Sequence, residues 1–185
     1  MGFNVGGIYV RADRITQQDV VDIIQDYWLK LGARPSSRDP LDFRPLSLAK
    51  TGELAFAIAP PLPELGGGAL KWVAVYDSER YHCDSALACR LSMHFETDVW
   101  SFTVVEAVND ASAKRHGKQE EFLRGIDSVM SAIAPLPHAF LYFNKLREEL
   151  PTAQLQTFQW LAFEGIPYRP KALYSGPDPQ SPATR

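Results

Sequence analysis

Four side chains between positions 82 and 94 have the types that bind zinc: His82, Cys83, Cys89 and His94. Thiolate and imidazole are its usual nitrogen and sulfur ligands. The spacing is wrong, however. Structural sites use close pairs such as C-x2-C on a turn, whereas these four lie across one predicted helix and its entry. Cys89 is expected to be a small buried residue of that helix. Cys83 and Cys89, six residues apart, fall on different helix faces, so no disulfide between them is expected. No metal or other cofactor is predicted.

Asp77, Glu79 and Asp84 form a second candidate, at the end of one predicted strand and the start of the next helix. Two such carboxylates could share a proton as general acid and base. With His94 they would line a cleft at the strand ends. The same residue types also form turns and cap helix N-termini, where negative charge is favourable. Nucleophilic catalysis finds less. There is no G-x-S-x-G elbow, and Ser78, Ser85, Ser92 and Ser101 lie in ordinary contexts. Cys83 follows His82, but sequence neighbours do not normally point at each other. Gly66 to Gly68 could cradle a phosphate, yet a strand follows where a phosphate loop requires a helix N-terminus. An enzyme is therefore not the expectation.

Aromatic side chains are the remaining material: Trp28, Trp72, Trp100 and Trp160, with ten Phe and seven Tyr. Most sit on periodic faces and belong to a core. Tyr76, Tyr81 and Trp100 lie near acidic positions, a mixture that protein interfaces use.

These residues must be positioned by alternating strands and helices. Asn4 to Arg11 is a predicted strand. Thr16 caps a helix, with Asp19 completing a capping box, Val20, Ile24, Tyr27, Trp28 and Leu31 on one face, and Gly32 as its stop. A loop follows from Pro35 to Pro45. Leu54, Phe56 and Ile58 share one face of the next strand, and Ala55, Ala57 and Ala59 share the other, which predicts close packing there. Residues 60–68, PPLPELGGG, read as a turn or exposed loop. Ala69 to Asp77 is a strand with Val73 and Val75 opposite Trp72, Ala74 and Tyr76. Asp84 or Ser85 caps a helix carrying Leu87, Leu91 and Phe95. Val99 to Val105 is a strand with Trp100, Phe102 and Val104 on one face. Lys114 to Lys118 reads as a polar hairpin tip.

Beyond Glu120 the pattern is helical: first Phe122, Ile126, Val129, Met130 and Ile133, ended by Pro135 and Pro137. Further helices are expected over Ala139 to Leu150, and from Thr152 with Leu155, Phe158 and Ala162 on one face and Gly165 as stop. The order fits an α+β fold with a ferredoxin-like βαββαβ core, an antiparallel or mixed sheet with helices on one face, plus C-terminal helices. One domain is expected over residues 1–166, with a sheet–helix core at 1–118 and a helical extension at 119–166. Residues 167–185 form a Pro-rich, partly flexible tail.

WVAVYDSERYHCDSALACRLS, followed by VWSFTVVEAVND and the HGK tip, resembles small bacterial immunity proteins encoded beside secreted polymorphic toxins. The shared look spans about residues 69–122: a Trp-led apolar strand ending in Tyr-Asp-Ser-Glu, a helix with Leu-Ser, and another strand. The resemblance carries no catalytic residue. It implies a non-enzymatic protein that blocks a cognate protein toxin. Asp77, Glu79, Glu96 and Asp98 would supply charge to that contact, and Tyr81 and Trp100 would anchor it. A small enzyme or ligand-binding protein and a self-associating subunit are the competing readings.

Composition agrees with a globular chain. Of 185 residues, 45% are apolar and 22% charged. Nineteen basic against 22 acidic side chains give a net charge of −3, which lacks the basic surface that nucleic acid needs. The N-terminal stretch lacks the pattern of a signal peptide. Gly sits where a myristoylation motif wants Ser or Thr. No apolar run approaches the roughly 20 residues that span a bilayer. A cytoplasmic protein with no membrane partner is expected.

Overall fold

The computed structural model describes residues 4–43, 52–79, 85–105, 131–138 and 141–166. It is an α+β protein, and the described residues build a seven-stranded antiparallel sheet. The strands are β1 (Asn4–Arg11), β2 (Arg34–Pro35), β3 (Leu54–Ile58), β4 (Leu62–Pro63), β5 (Lys71–Asp77), β6 (Val99–Val105) and β7 (Gln159–Glu164). Their order is β2-β7-β3-β5-β1-β6, and β4 pairs with β5. The helices are α1 (Gln17–Lys30), α2 (Ser85–Phe95), α3 (Phe143–Glu149) and α4 (Thr152–Leu155).

Helix α1 starts where its sequence says it must. The Asp19 amide donates to Thr16 Oγ1, and the Thr16 amide donates back to the Asp19 carboxylate. The Thr16 amide, and then its hydroxyl, donating to the Asp19 carboxylate hold that carboxyl below its usual range. Gly32 ends the helix with φ +91°, a conformation that costs glycine little.

The sheet separates two apolar layers. On one face Ile8, Val10, Leu54, Phe56, Ile58, Val73 and Val75 meet Val20, Ile24 and Trp28 of α1 and Leu87 and Leu91 of α2. On the other, Ala55, Ala57, Ala59, Trp72, Ala74 and Tyr76 meet Ile133, Leu136, Phe143, Leu146 and Phe158. The alanine face of β3 is thus the floor on which the C-terminal segments pack, as its small side chains predict.

Four local expectations need correction. The helix begun at Thr152 lasts one turn, and Gln159–Glu164 is a strand between β2 and β3. A step of four residues, as from Phe158 to Ala162, is common to a helix and to two strand periods. The segment also alternates, with Phe158, Trp160 and Ala162 on one side and Leu161 and Phe163 on the other. The helix expected from Ala139 begins only at Phe143, because Tyr142 is extended. Ala139 itself lies outside the described residues. The loops from Pro35 and Pro60 contain short ordered pieces: β2, a 3-10 turn at Pro40–Asp42, and β4. Cys89 is exposed, not buried. Leu87, Ala88 and Leu91 form the inward stripe of α2, and a two-residue step from Leu87 or Leu91 turns Cys89 to the far side. The hairpin tip at 114–118, the face from Phe122 to Met130, and the tail lie outside the described residues.

Among the described residues, no helix is long and apolar enough to cross a membrane.

Candidate functional site

Strand register divides the residues chosen from sequence into two groups. Arg11 pairs with Trp72, and the Arg11 amide donates to the Asp98 carbonyl, so Trp72, Arg11 and Asp98 stand level at one end of the sheet. Asp77 pairs with Phe56 at the other end. A step of five positions along β5, from Trp72 to Asp77, separates the two levels, roughly 16 Å of strand. Asp77 and Glu79 therefore belong to one end and Glu96 and Asp98 to the other, with Trp100 two residues inward of Asp98, level with Ala74. Tyr81 and Asp84 lie outside the described residues.

At the first end, Asp77 acts as a turn former. Its Oδ1 accepts the Glu79 amide at 2.9 Å. Buried Ser78 continues the ladder, its amide donating to the Ala55 carbonyl while its Oγ accepts the Ala55 amide, both at 2.9 Å. His94 is exposed in the last turn of α2, on the Asp98 side, so Asp77 and Glu79 do not converge with it. Among the described residues no three His, Cys, Asp or Glu side chains gather as a metal site. His82 and Cys83 are outside those residues.

At the second end, the α2–β6 turn is firmly held. Glu96 takes the left-handed conformation (φ +49°) that side-chain-bearing residues rarely adopt. Ser92 Oγ donates to the Thr97 carbonyl at 2.8 Å, and Thr97 Oγ1 donates to the Arg11 carbonyl at 3.3 Å. The Arg11 guanidinium pairs with Asp98 and lies 3.2 Å from Asp13. The turn thereby holds the exposed acids Glu96 and Asp98 between two separate apolar side chains: Met93 of α2, 78% exposed, and Trp100 of β6, 46% exposed, on the opposite sheet face from α2. Trp100 shares a face with Phe102, which stacks on Tyr9 at 5.6 Å. Trp100 stands outside that stack.

A third cluster is buried and was not singled out by sequence reasoning. The Tyr9 and Tyr76 hydroxyls both donate to the main-chain carbonyl of His138, at 3.3 and 3.2 Å. His138 is itself left-handed (φ +57°), and its Nε2 lies 2.8 Å from Gln154 Nε2, which makes the ring the acceptor from that amide. Two phenols on neighbouring strands thus fasten the C-terminal layer to the sheet. The available signal was the placement of Tyr among inward-facing residues, because a buried Tyr must find a partner for its hydroxyl.

Burial, reinforced by Tyr9, raises the Tyr76 phenol well above its ordinary value near 10. The neutral form is thus favoured in the folded state. This contribution is complete below the unfolded value and is lost as pH rises through the folded one. Stability is expected to fall above pH 10, and Tyr76→Phe to flatten that fall while costing about 1 kcal/mol at neutral pH. Urea titrations of both proteins from pH 8 to 11 test this. Parallel pH curves would show that Tyr76 is not the group concerned.

The chain is thus an α+β protein with an exposed acidic turn between α2 and β6 and an exposed Trp100 just beyond it. No family model, no curated protein and no solved structure matches it.

Proposed function

We propose that this protein is a non-enzymatic binding protein, an immunity protein that neutralises a cognate bacterial toxin by direct contact through the α2–β6 end of the sheet. The observation that carries the proposal is the exposure of Trp100 at the start of β6, just after the pinned α2–β6 turn that holds the exposed acids Glu96 and Asp98. Trp is enriched at the cores of protein interfaces, and acidic rims speed association with a basic partner. Asp77 and Glu79 face the opposite end of the sheet and drop out of this surface. Their separation from His94 gives no support to a carboxylate–histidine cleft.

The central order β6-β1-β5-β3, with α1 and α2 on one face, supports a ferredoxin-like βαββαβ unit as the scaffold of that surface. Strands β7 and β2 would extend it on the β3 side.

The test is capture by the tagged full chain from lysate of the source organism, with native mass spectrometry of the eluate. The expected result is one stoichiometric protein partner whose toxicity the chain abolishes. Trp100→Ala should weaken that complex by about 2 kcal/mol, near thirtyfold. A bare monomer carrying a small molecule or a metal would refute the proposal.

A further inference from the structure

We propose that His138 is an acid-sensitive latch: a proton on its imidazole loosens the turn that fastens the C-terminal layer to the sheet. The latch is a conformational device of the fold and is independent of the binding function proposed above.

The turn at residues 133–138 is held from several directions. Ile133 and Leu136 are buried against the alanine face of β3. The Pro135 carbonyl accepts the Leu65 amide from the β4–β5 connection at 2.6 Å. The His138 carbonyl collects three donors: the Tyr9 hydroxyl of β1, the Tyr76 hydroxyl of β5 and the Leu141 amide at 2.9 Å. A carbonyl oxygen has two lone pairs, so three donors around it leave its position little freedom. The residue bearing that carbonyl is itself left-handed, with φ +57°. Its ring is tied to a different element. Nε2 lies 2.8 Å from the Gln154 amide nitrogen of α4. An imidazole nitrogen accepts such an N–H only while it carries no proton. One side chain thus links the turn, the two buried phenols and α4, and one link depends on its protonation.

A proton on Nε2 sets two donors against each other. Turning the Gln154 amide over would present its oxygen instead, which restores a hydrogen bond and leaves the charge uncompensated. The surroundings supply no counter-charge. Residues 131–138 read SAIAPLPH and α4 reads TAQL, with no acid in either. The side chains that reach His138 from β1 and β5 are the phenols Tyr9 and Tyr76, and Tyr142, another phenol, precedes α3. The acids of α3, Glu148 and Glu149, are exposed, and Glu148 is paired with Lys145. Burial accordingly holds the imidazole below its ordinary 6.5. The neutral ring is favoured in the fastened state. Its contribution is complete above 6.5 and is lost as pH falls through the folded value. The capping carboxylate of Asp19 is lost in a different window, below its ordinary 3.8.

The test follows the full chain by NMR between about pH 5 and 8, the range in which imidazole titrates. The His138 ring signal reads its protonation, and hydrogen exchange at the Leu65 and Leu141 amides reads the turn. His138→Asn is the comparison, because Asn tolerates the left-handed backbone and takes up no proton. The expected result is a ring that titrates below 6.5. Exchange at both amides should rise on acidification relative to His138→Asn, by at most about tenfold per pH unit for one proton taken up. A ring titrating at or above 6.5 overturns the latch. So does exchange that changes equally in the two proteins. Gln154→Glu gives an independent reading if His138→Asn does not fold. Its carboxylate would stabilise the charged ring, so the acid response should vanish or reverse. An unchanged response in Gln154→Glu overturns the latch as well.

Discussion

Phe163→Ala should destabilise the protein by about 3–5 kcal/mol, a large part of the 5–15 kcal/mol typical of a whole domain. Phe163 lies in β7, is 2% exposed, and pairs with Leu54 of β3 and Pro35 of β2. Its ring meets Phe56 edge-on at 6.1 Å and lies 6.4 Å from Trp28 of α1. Trp28 and Phe56 are in turn 6.1 Å apart. Truncation therefore removes one corner of a three-ring cluster that joins the last strand, the sheet interior and the first helix. The cost combines lost apolar burial, lost ring contacts and a cavity that the flanking strands can only partly close. Urea unfolding with an unchanged slope and a lowered midpoint is the expected signature. Gln159→Ala, at an exposed position of the same strand, should stay within about 0.5 kcal/mol of the parent. A Phe163→Ala loss below about 1 kcal/mol would place this ring outside the core.

The same residue shows where sequence reasoning succeeds and where it stops. The α+β class, helix α1 and the facing of β3 and β5 follow from short-range rules. A capping box, a C′ glycine and strict alternation each act within a few residues, and each is present at Thr16, Gly32 and Leu54 to Ala59. Strand β7 is different. Its apolar residues satisfy a helical step of four and a strand step of two at once. The choice is made by an open edge of β3, which offers main-chain groups that need partners. That edge is formed about a hundred residues earlier in the chain and is invisible to a local pattern.

The candidate surface has the same history. Asp77 and Asp98 look alike in sequence, since both flank predicted strands. Only the antiparallel register sends them to opposite ends. The bracing of the β4–β5 hairpin is likewise hidden. A glycine-rich loop reads as flexible until the Glu64–Trp72 and Leu65–Pro135 bonds are seen. The buried Tyr9 and Tyr76 pair depends on a carbonyl more than sixty residues from either strand.

Leu146→Ala should cost about 2–5 kcal/mol, and it should lower the stability of the sheet as well as that of α3. Leu146 is fully buried with Ile133, Leu136, Phe143 and Phe158 above Ala55, Ala57 and Ala59. Alanines on β3 leave room for a close-packed layer, so much of that sheet face is covered only while the layer stays down. The layer is also tied from below by Tyr9 and Tyr76 and from the side by the Leu65 amide on Pro135. An appendage merely resting on the sheet would melt by itself after Leu146→Ala. Far-ultraviolet circular dichroism and tryptophan fluorescence would then report separate transitions. The shared core instead requires both probes to move together, because exposing the alanine face, Trp72 and Tyr76 removes burial from β3 and β5 themselves. Coincident curves at a lowered midpoint are the expected outcome. A separate early transition that leaves the sheet at parental stability would make the C-terminal layer a dispensable addition, and would detach the braced hairpin from its support at Pro135.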